Sequence, residues 1–304
     1  MNRGWFSREA SEKHSGLRET AALAVLLGLL LPLAHAQPAQ QPPVPQQPPR
    51  THRAIPDDNL AYPVLITIGN STGSGFYVST ADTTYLVTAT HVLFAIGTAT
   101  PPPLFASTFT LLSYSPDPAD ATPNRVIVDT RVLGVGNIMR HPTADVTVIR
   151  LFTHPTPNTV SEVAGVTIAQ SAARGFLGVS METIARMNEI LVGNEVILFG
   201  YPTSLGLQVL PQLDRERPLL RKGIVAGINT TLRSIILDCP VYFGNSGGPV
   251  IEIDTEDVFR KHFRVIGVVD QYVPYADGGR TFSIMANSGY SVIVPMDFVL
   301  ELIH

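Results

Sequence analysis

Short apolar runs separated by turn-forming residues dominate the sequence after residue 58. The runs are rich in Val, Ile, Thr, Tyr and Phe, and Gly, Pro, Asn and Asp stand between them. This pattern is typical of β-strands joined by tight turns, and it predicts an all-β protein. The predicted strands of a first group span residues 62–68, 75–79, 85–88, 109–113, 125–133 and 146–152. Those of a second group span residues 195–199, 219–228, 234–237, 249–253, 265–269 and 291–294.

Two segments have helical rather than alternating periodicity. Residues 180–191 repeat apolar positions at helical spacing, with Ser180 at the N-cap position. Residues 296–303 predict a short amphipathic helix at the C-terminal end. The expected organisation therefore has three parts: a first strand group at residues 58–165, a connector with a short helix at 166–192, and a second strand group at 193–304.

The first 36 residues have the features of a secretory signal. Basic residues precede an apolar stretch at 21–33, and Ala34-His35-Ala36 fits an A-x-A cleavage site. The stretch is shorter than the ~20 residues of a spanning helix, which favours cleavage after Ala36 over an uncleaved membrane anchor. Residues 37–57 are mostly Pro and Gln and predict a disordered, extended linker. The sequence thus predicts export to the periplasm or beyond, with membrane contact only through an uncleaved signal.

Composition excludes further classes of function. The 304 residues carry a formal net charge of −4 without a long run of like charge, which argues against a nucleic-acid partner. With 45% hydrophobic residues, the chain is able to form a substantial core. Cys239 is the only cysteine, so no intrachain disulfide forms. A lone cysteine without a partner motif predicts a small buried residue rather than a nucleophile.

A serine between glycines is the most informative chemical signal in the chain. In the segment Gly244-Asn245-Ser246-Gly247-Gly248, the glycines allow a tight turn that exposes the serine hydroxyl. The same turn lets the amides of Gly244 and Ser246 converge on one point, as an oxyanion hole requires. Serine is a weak nucleophile at its free pKa, so the chain must also supply a base.

His91 is the best candidate for that base. It follows an apolar strand and a run of small residues, which places its imidazole at a strand end beside a cleft. By contrast, His141, His154 and His262 stand in polar surroundings and are expected to be solvated loop residues.

Asp145 is the candidate that orients this histidine. It opens an apolar strand, where a partly buried carboxylate needs a partner. The alternative interpretation is an ordinary turn aspartate at a strand start. The presence of the histidine and serine motifs on either side favours the catalytic interpretation.

Taken together, these motifs resemble the trypsin/chymotrypsin-like serine peptidase superfamily, and in particular its disulfide-poor bacterial branch, which includes Deg-type envelope proteases. Four segments carry the resemblance: Gly73-Ser74-Gly75-Phe76, Thr88-Ala89-Thr90-His91-Val92, Ala144-Asp145-Val146 and Gly244 to Val250. The resemblance implies two antiparallel six-stranded barrels with His91, Asp145 and Ser246 in the cleft between them. It also implies an oxyanion hole at Gly244 and Ser246, protein or peptide substrates, and acyl transfer without a cofactor or metal.

The chain departs from the family pattern in several places. Deg-type proteases commonly carry a PDZ domain after the protease, and we expect none here. Pro240 stands where trypsin has the acid that selects Lys or Arg, and Tyr272 stands where open specificity pockets have glycine. We therefore assign Pro240, Asp270 and Tyr272 to substrate binding and expect small aliphatic P1 residues. Asp270 falls near the triad, where the family usually has Ser or Thr.

Three other functions compete with the endopeptidase. The G-x-S-x-G pattern also fits the nucleophile elbow of an α/β-hydrolase esterase, but that fold needs strands alternating with helices. A protease-like binding protein that does not catalyse would retain the same fold, although such proteins usually lose a triad member. A metal-dependent hydrolase would need ligand spacing such as H-E-x-x-H, which the sequence lacks.

Overall fold

The computed structural model describes residues 54–95, 103–117, 119–156, 159–203, 210–257, 260–278 and 283–303. All of them fall in one compact unit, residues 51–304. The predicted export signal at residues 1–36 and most of the predicted linker at 37–57 lie outside the described residues. Within the described part of the chain, no helix is both long enough and apolar enough to cross a bilayer.

Ten strands form the first sheet, and alternating burial explains why they do. In β1, Val64, Ile66 and Ile68 are fully buried, whereas Thr67 between them is exposed. The alternate residues of the six central strands point into one shared apolar core, so the sheet curls around that core. The strands are β1 Pro63–Ile68, β2 Ser71–Ser79, β3 Thr83–Thr88, β4 Thr108–Tyr114, β5 Pro123–Asp129, β6 Ile138–Arg140, β7 Thr147–Thr153, β8 Ser161–Glu162, β9 Val166–Gln170 and β10 Val179–Ser180.

The order of strands along the sheet is β6-β7-β3-β2-β1-β4-β5-β9, with β8 on β7 and β10 on β2. All of these pairs are antiparallel except that of β10 with β2. The first half of the protein is thus a curled sheet of ten strands, and its six central strands are those that the sequence predicts.

The second half is a closed antiparallel barrel in the order β11-β12-β13-β16-β15-β14. Its interior contains aliphatic side chains from all six strands, together with Cys239, which is fully buried. Burial raises the pKa of that thiol to about 11, so it is not a ready nucleophile. The strands are β11 Glu195–Gly200, β12 Leu219–Asn229, β13 Ser234–Asp238, β14 Pro249–Asp257, β15 Arg260–Gly278 and β16 Ser283–Pro295.

A separate apolar cluster joins the sheet to the barrel. Phe76 and Val148 from the sheet pack in it with Phe199 and Ile251 from the barrel, and all four are almost completely buried. The two halves therefore meet through apolar side chains, in addition to the apolar core that each half encloses. This contact holds the loops of the two halves in fixed positions, which a site built from both halves requires.

Three short helices complete the described part of the chain: α1 Asp57–Ala61, α2 Thr90–Leu93 and α3 Met296–Leu300. Helix α3 buries Met296, Phe298 and Val299 in the cluster between the two halves. The predicted all-β fold with a short C-terminal helix is confirmed, and its architecture is chymotrypsin-like. An α/β-hydrolase architecture is wrong for this chain, because the strands pair antiparallel, apart from β10 with β2, and no α-helix crosses from one parallel strand to the next in the described residues.

The predicted connector helix at residues 180–191 is wrong. Ser180 belongs to β10, which pairs with β2, and its backbone is extended. Further along, the amide of Ala185 donates to the carbonyl of Val265 in β15 at 3.0 Å. These backbone groups bind neighbouring strands, so they are not free for an α-helical ladder. Only two short 3-10 helices form in this segment, Met181–Thr183 and Met187–Glu189.

The boundary of the first strand group also differs from the expected residue 165. Strand β9 lies beyond it and pairs antiparallel with β5, for example Val128 with Val166. The first sheet therefore continues into the segment expected to be a connector.

Candidate active site

Connections between strands carry the three predicted catalytic residues. His91 lies in α2 directly after β3, Asp145 precedes β7, and Ser246 lies in the turn before β14. The turn of Ser246 packs closely against the segment that leads to His91. If Gly247 had a Cβ atom, that atom would lie only 2.9 Å from the amide nitrogen of Ala89. The barrel thus brings its serine turn to the end of β3 in the sheet.

His91 and Asp145 are in direct contact through two hydrogen bonds. The imidazole Nδ1 donates to Oδ2 of Asp145, and the main-chain amide of His91 donates to Oδ1 at 3.1 Å. Both side chains are 28% exposed, so the pair sits at the edge of the interior. A carboxylate that accepts the Nδ1 proton fixes the tautomer of the ring and leaves Nε2 as the acceptor.

Opposing effects set the pKa values of this pair. Burial lowers the pKa of the His91 imidazole, but the hydrogen bond and charge of Asp145, with a contribution from Asp270, raise it above its ordinary value. Burial likewise raises the pKa of Asp145, and the hydrogen bond and charge of His91 more than offset this, so its pKa is lowered. The pair therefore favours an ionised Asp145 next to His91.

His141 supports the loop that carries Asp145, contrary to its predicted role as a solvated residue. Its side chain is only 8% exposed and packs against Phe298 with ring centroids 4.7 Å apart. Nδ1 accepts the amide of Ala144 at 3.0 Å, and Nε2 lies 3.0 Å from a carboxylate oxygen of Glu301. A ring that accepts at Nδ1 donates at Nε2, so both nitrogens are satisfied by the neutral tautomer.

Ser246 lies in a turn that only glycine permits. Gly244 and Gly247 have φ values of +91° and +84°, in the left-handed region that L side chains rarely adopt. The hydroxyl of Ser246 donates to the main-chain carbonyl of Asp270 at 3.1 Å. Among the described residues, no hydrogen bond joins this hydroxyl to His91. The structure therefore joins His91 to Asp145 and places the serine turn nearby, with its hydroxyl directed elsewhere.

The amides predicted to form an oxyanion hole are available. Those of Asn245, Gly247 and Gly248 donate to main-chain carbonyls, whereas those of Gly244 and Ser246 donate to no acceptor in the described part of the chain. Within the described residues, the hydrogen-bonding capacity of these two amides is therefore unused.

Ser74 is a supporting residue whose role the sequence did not reveal. Its buried hydroxyl donates to the carbonyl of Gly244 at 2.6 Å and accepts the amide of Tyr201 at 3.0 Å. Its main-chain amide donates to the carbonyl of Ser246 at 3.0 Å. Ser74 belongs to β2 of the sheet, so these contacts hold the serine turn of the barrel against the other half of the protein. Its occurrence in the Gly73-Ser74-Gly75 motif was the only signal available in the sequence.

The residues assigned to substrate binding occupy different surroundings. Tyr272 is half-buried, and its ring meets that of Phe243 edge to face at 6.1 Å. Phe243 is 73% exposed and directly precedes Gly244, so this aromatic pair borders the serine turn. Pro240 is half-buried and lies near the start of the connection between β13 and β14, which also contains Phe243 and Ser246. The assignment of Pro240, Asp270 and Tyr272 to substrate binding stays a prediction.

Asp270 lies next to the pair formed by His91 and Asp145. One nitrogen of His91 and one oxygen of each carboxylate all lie within 4.8 Å of one another. Burial raises the pKa of Asp270 to about 7, with a further increase from the negative charge of Asp145. The donor set resembles that of a metal site, but Asp145 already accepts two hydrogen bonds from His91. We therefore describe the cluster as an acid beside a histidine–aspartate pair.

Comparisons with known proteins identify the family of the chain. The sequence profile of the trypsin-like peptidase domain matches residues 73–259, which is more than half of the chain. No curated protein matches the chain. Three similar solved structures are the serine endoprotease from Yersinia pestis (TM-score 0.46, 14% identity, 82% of this chain and 65% of that one), Deg5 (0.44, 19%, 80% and 87%) and the HtrA-type protease AlgW with a tripeptide (0.44, 18%, 80% and 58%). The chain thus spans less than two thirds of the first and third of them.

Proposed function

Since the chain belongs to the family of trypsin-like peptidase domains, we propose that it is a serine endopeptidase in which Ser246, His91 and Asp145 form the catalytic triad. One observation carries the proposal. The His91 ring is hydrogen-bonded to Asp145 at the end of β3, and the serine turn that packs there has two unpaired amides.

In the proposed mechanism, Ser246 attacks the carbonyl carbon of the scissile peptide bond. A rotation about its Cα–Cβ bond first moves the hydroxyl from the Asp270 carbonyl toward Nε2 of His91. Such rotations of accessible side chains take picoseconds to nanoseconds, so this step does not limit turnover. His91 removes the proton from Ser246 and then transfers it to the nitrogen of the leaving amine.

A water molecule completes the cycle by hydrolysing the acyl-enzyme, with His91 again as the base. Asp145 stays ionised throughout and stabilises the imidazolium that forms in each half. The amides of Gly244 and Ser246 bind the oxyanion, a role in which losing one donor typically lowers kcat by about 10²–10³. These steps need no cofactor.

We propose protein or peptide substrates with small aliphatic P1 residues. The support is the aromatic pair of Tyr272 and Phe243 at the border of the serine turn, which would make a shallow pocket. A peptide library should therefore be cleaved mainly after small aliphatic residues, and the Tyr272→Gly variant should accept larger ones. Cleavage by the unmodified enzyme mainly after Arg, Lys or Phe would contradict this preference.

The triad is tested by labelling with a fluorophosphonate and by turnover of casein and peptides. We expect the label on Ser246, and we expect Ser246→Ala and His91→Ala each to lower kcat by about 10⁴–10⁶. Ser79→Ala is the matched control, because its hydroxyl bonds Thr84 on the neighbouring strand and should leave turnover within about twofold. Proteolysis that persists in folded Ser246→Ala protein would refute the triad. A folded protein that neither takes the label nor cleaves would instead indicate a binding protein.

We also propose that the chain is exported and cleaved after Ala36. The support is the basic and apolar composition of the first 36 residues. N-terminal sequencing of the mature protein should give Gln37 as the first residue. A mature protein that begins at Met1 would show that the signal is retained.

A further inference from the structure

Asp270 is a half-buried acid that the proposed triad does not use. It lies in β15, at a break in the pairing of that strand with β16. Val269 pairs with Ile293 and Gln271 pairs with Val292, so Asp270 is an extra residue without a partner. A bulge of this kind redirects both the side chain and the main-chain groups of the inserted residue.

The redirected groups of Asp270 reach both parts of the site. Its carbonyl accepts the hydroxyl of Ser246 at 3.1 Å. One oxygen of its carboxyl group lies within 4.8 Å of an oxygen of Asp145 and of a ring nitrogen of His91. A single residue therefore bonds the proposed nucleophile through its main chain and brings its side chain beside the orienting carboxylate.

Ionising both of two adjacent carboxyl groups costs free energy, because like charges at this separation repel strongly. For a hydrogen bond to form between them, one of the two must retain a proton, since two carboxylates have no donor. Asp145 is ionised by its hydrogen bonds with His91, so the proton belongs to Asp270. The effect of burial and of Asp145 on the pKa of Asp270, which reaches about 7, agrees with this assignment.

The charged groups around Asp270 come from few elements. His91 of α2 and Asp145 of the segment before β7 both face it. Arg233, between β12 and β13, lines the same cavity of about 520 Å³, but its guanidinium binds Glu301 at 2.6 Å. Strand β16 contributes only Val292, Ile293 and Val294 to that cavity. Asp145 is thus the acceptor available to a protonated Asp270.

We propose that Asp270 is a positioning residue that, in its protonated form, donates a hydrogen bond to Asp145 and holds this carboxylate against His91. The proposal rests on the proposed peptidase function, because it assigns Asp270 a role in the same triad. No bond to substrate is involved, and the proton of Asp270 is not transferred during turnover.

The proposed role of Asp270 makes activity depend on pH in one direction. When the pH rises through the titration of Asp270, the acid loses its proton and the hydrogen bond to Asp145 is lost. A second negative charge then repels Asp145, so the orientation of His91 is no longer maintained. Activity should therefore decline on the alkaline side with a midpoint near 7, although the titrations of Asp270 and His91 overlap because the groups interact.

Two substitutions separate the hydrogen bond from the charge. Asp270→Asn keeps a donor of the same shape but does not titrate, so turnover should persist and the alkaline decline should disappear. Asp270→Ala removes the donor, so kcat should fall at least ~10-fold below the alkaline midpoint, where the unsubstituted Asp270 retains its proton, while KM changes little. An alkaline decline that is unchanged in Asp270→Asn would overturn the proposal. Equal kcat values for the Asn and Ala variants would also overturn it.

A measurement that needs no turnover tests the same coupling. In the Ser246→Ala protein, ¹⁵N NMR of the His91 ring should show two titration steps, and adding Asp270→Asn should reduce them to one. A single step in Ser246→Ala itself would refute the coupling without any substitution at Asp270. Failure of fluorophosphonate labelling would count against the proposed peptidase alone, since the NMR titration reports Asp270 in either case.

Discussion

The two halves of the candidate site differ in how far they are assembled. On the sheet, His91 and Asp145 are joined by two hydrogen bonds, and His141 supports the loop of Asp145. On the barrel, the turn of Ser246 is held in place, but its hydroxyl bonds the carbonyl of Asp270. The proposed base is therefore already oriented by its carboxylate, whereas the hydroxyl of the proposed nucleophile is bonded to another group.

This difference follows from the kinds of contact involved. A ring held at Nδ1 by a carboxylate has one orientation, and the main-chain bond from His91 to Asp145 fixes it further. A serine hydroxyl has three staggered positions, and the closest acceptor decides among them. The turn, by contrast, is rigid, because Ser74 binds it at the carbonyls of Gly244 and Ser246. These contacts from the sheet thus fix the main chain of the serine turn more firmly than its hydroxyl.

The largest effect should come from the sheet half. Asp145→Asn removes the negative charge and presents a donor to His91, which favours the wrong tautomer, so kcat should fall about 10³–10⁴-fold. Steady-state kinetics on a peptide substrate measure this. Asp129→Asn is a control, because that side chain is 28% exposed, like that of Asp145, and its carboxylate binds Arg131, outside the site. A loss of less than tenfold for Asp145→Asn would show that the carboxylate does not orient the base.

The next effect should come from the barrel half. Gly244→Ala forces a side chain onto a residue with φ of +91° and against the carbonyl of Tyr201, so the amide of residue 244 should move. We expect kcat to fall about 10²–10³-fold, as for the loss of an oxyanion donor. Gly193→Ala is the matched control, since its φ is +96° but no atom lies within 4 Å of a built Cβ. Equal losses of kcat in the two variants would mean that strain, rather than the amide, is responsible.

The connection between the halves can be tested at Ser74. Ser74→Ala leaves the carbonyl of Gly244 and the amide of Tyr201 without their buried partner, which should lower the free energy of unfolding by about 1–3 kcal/mol. Displacement of the turn should lower kcat about 10–100-fold. Urea unfolding and turnover measure the two effects, with Ser79→Ala on the same strand as the control. A variant that loses stability but keeps its kcat would show that Ser74 does not position the amides.

A smaller effect is expected at His141. His141→Ala frees the amide of Ala144 next to Asp145, so kcat should fall about 3–10-fold while KM is maintained. His154→Ala is matched to it, because His154 likewise makes hydrogen bonds through both ring nitrogens, with the Thr84 hydroxyl and the Thr159 carbonyl, but lies outside the site. Equal losses of kcat in His141→Ala and His154→Ala would contradict a positioning role for His141.

The smallest effect should be a shift in the pH midpoint at which kcat/KM falls on the acid side. His91 must be neutral to accept the proton of Ser246, so kcat/KM should fall as the pH decreases through its pKa. The pKa of His91 is raised by Asp145, which places this midpoint above the ordinary value of 6.5. In Asp145→Asn the midpoint should move to lower pH, because the charge that stabilises the imidazolium is gone. A midpoint that moves upward in this variant would contradict the assigned sign.

Much of the fold was predictable because the strands are short and their apolar residues alternate. Strands such as β3 and β7 need little more than local composition, and the short motifs at His91 and Ser246 are equally local. The helix predicted from Ser180 was wrong because pairing with β2 and β15 outweighs periodicity in so short a segment. The local pattern thus predicts where strands form, but it does not predict whether a short connecting segment such as 180–191 is helical or extended.

The supporting residues were not predictable, and the reason is chain separation. Ser74 and Gly244 are 170 positions apart in sequence, and His141 and Glu301 are 160 apart. No pattern within a window of a few residues contains such contacts. Asp270 stood out only as an unexplained acid, since its position in a bulge depends on how β15 registers with β16.

The buried thiol inside the barrel gives the protein a built-in reporter of its own opening. Cys239 is the only thiol in the chain, and a reagent reaches it only when the barrel around it opens. The rate at which dithionitrobenzoate modifies the native protein therefore measures the frequency of that opening, without any introduced label. Any substitution discussed above that loosens the barrel half will accelerate this reaction, and one confined to the sheet half will not.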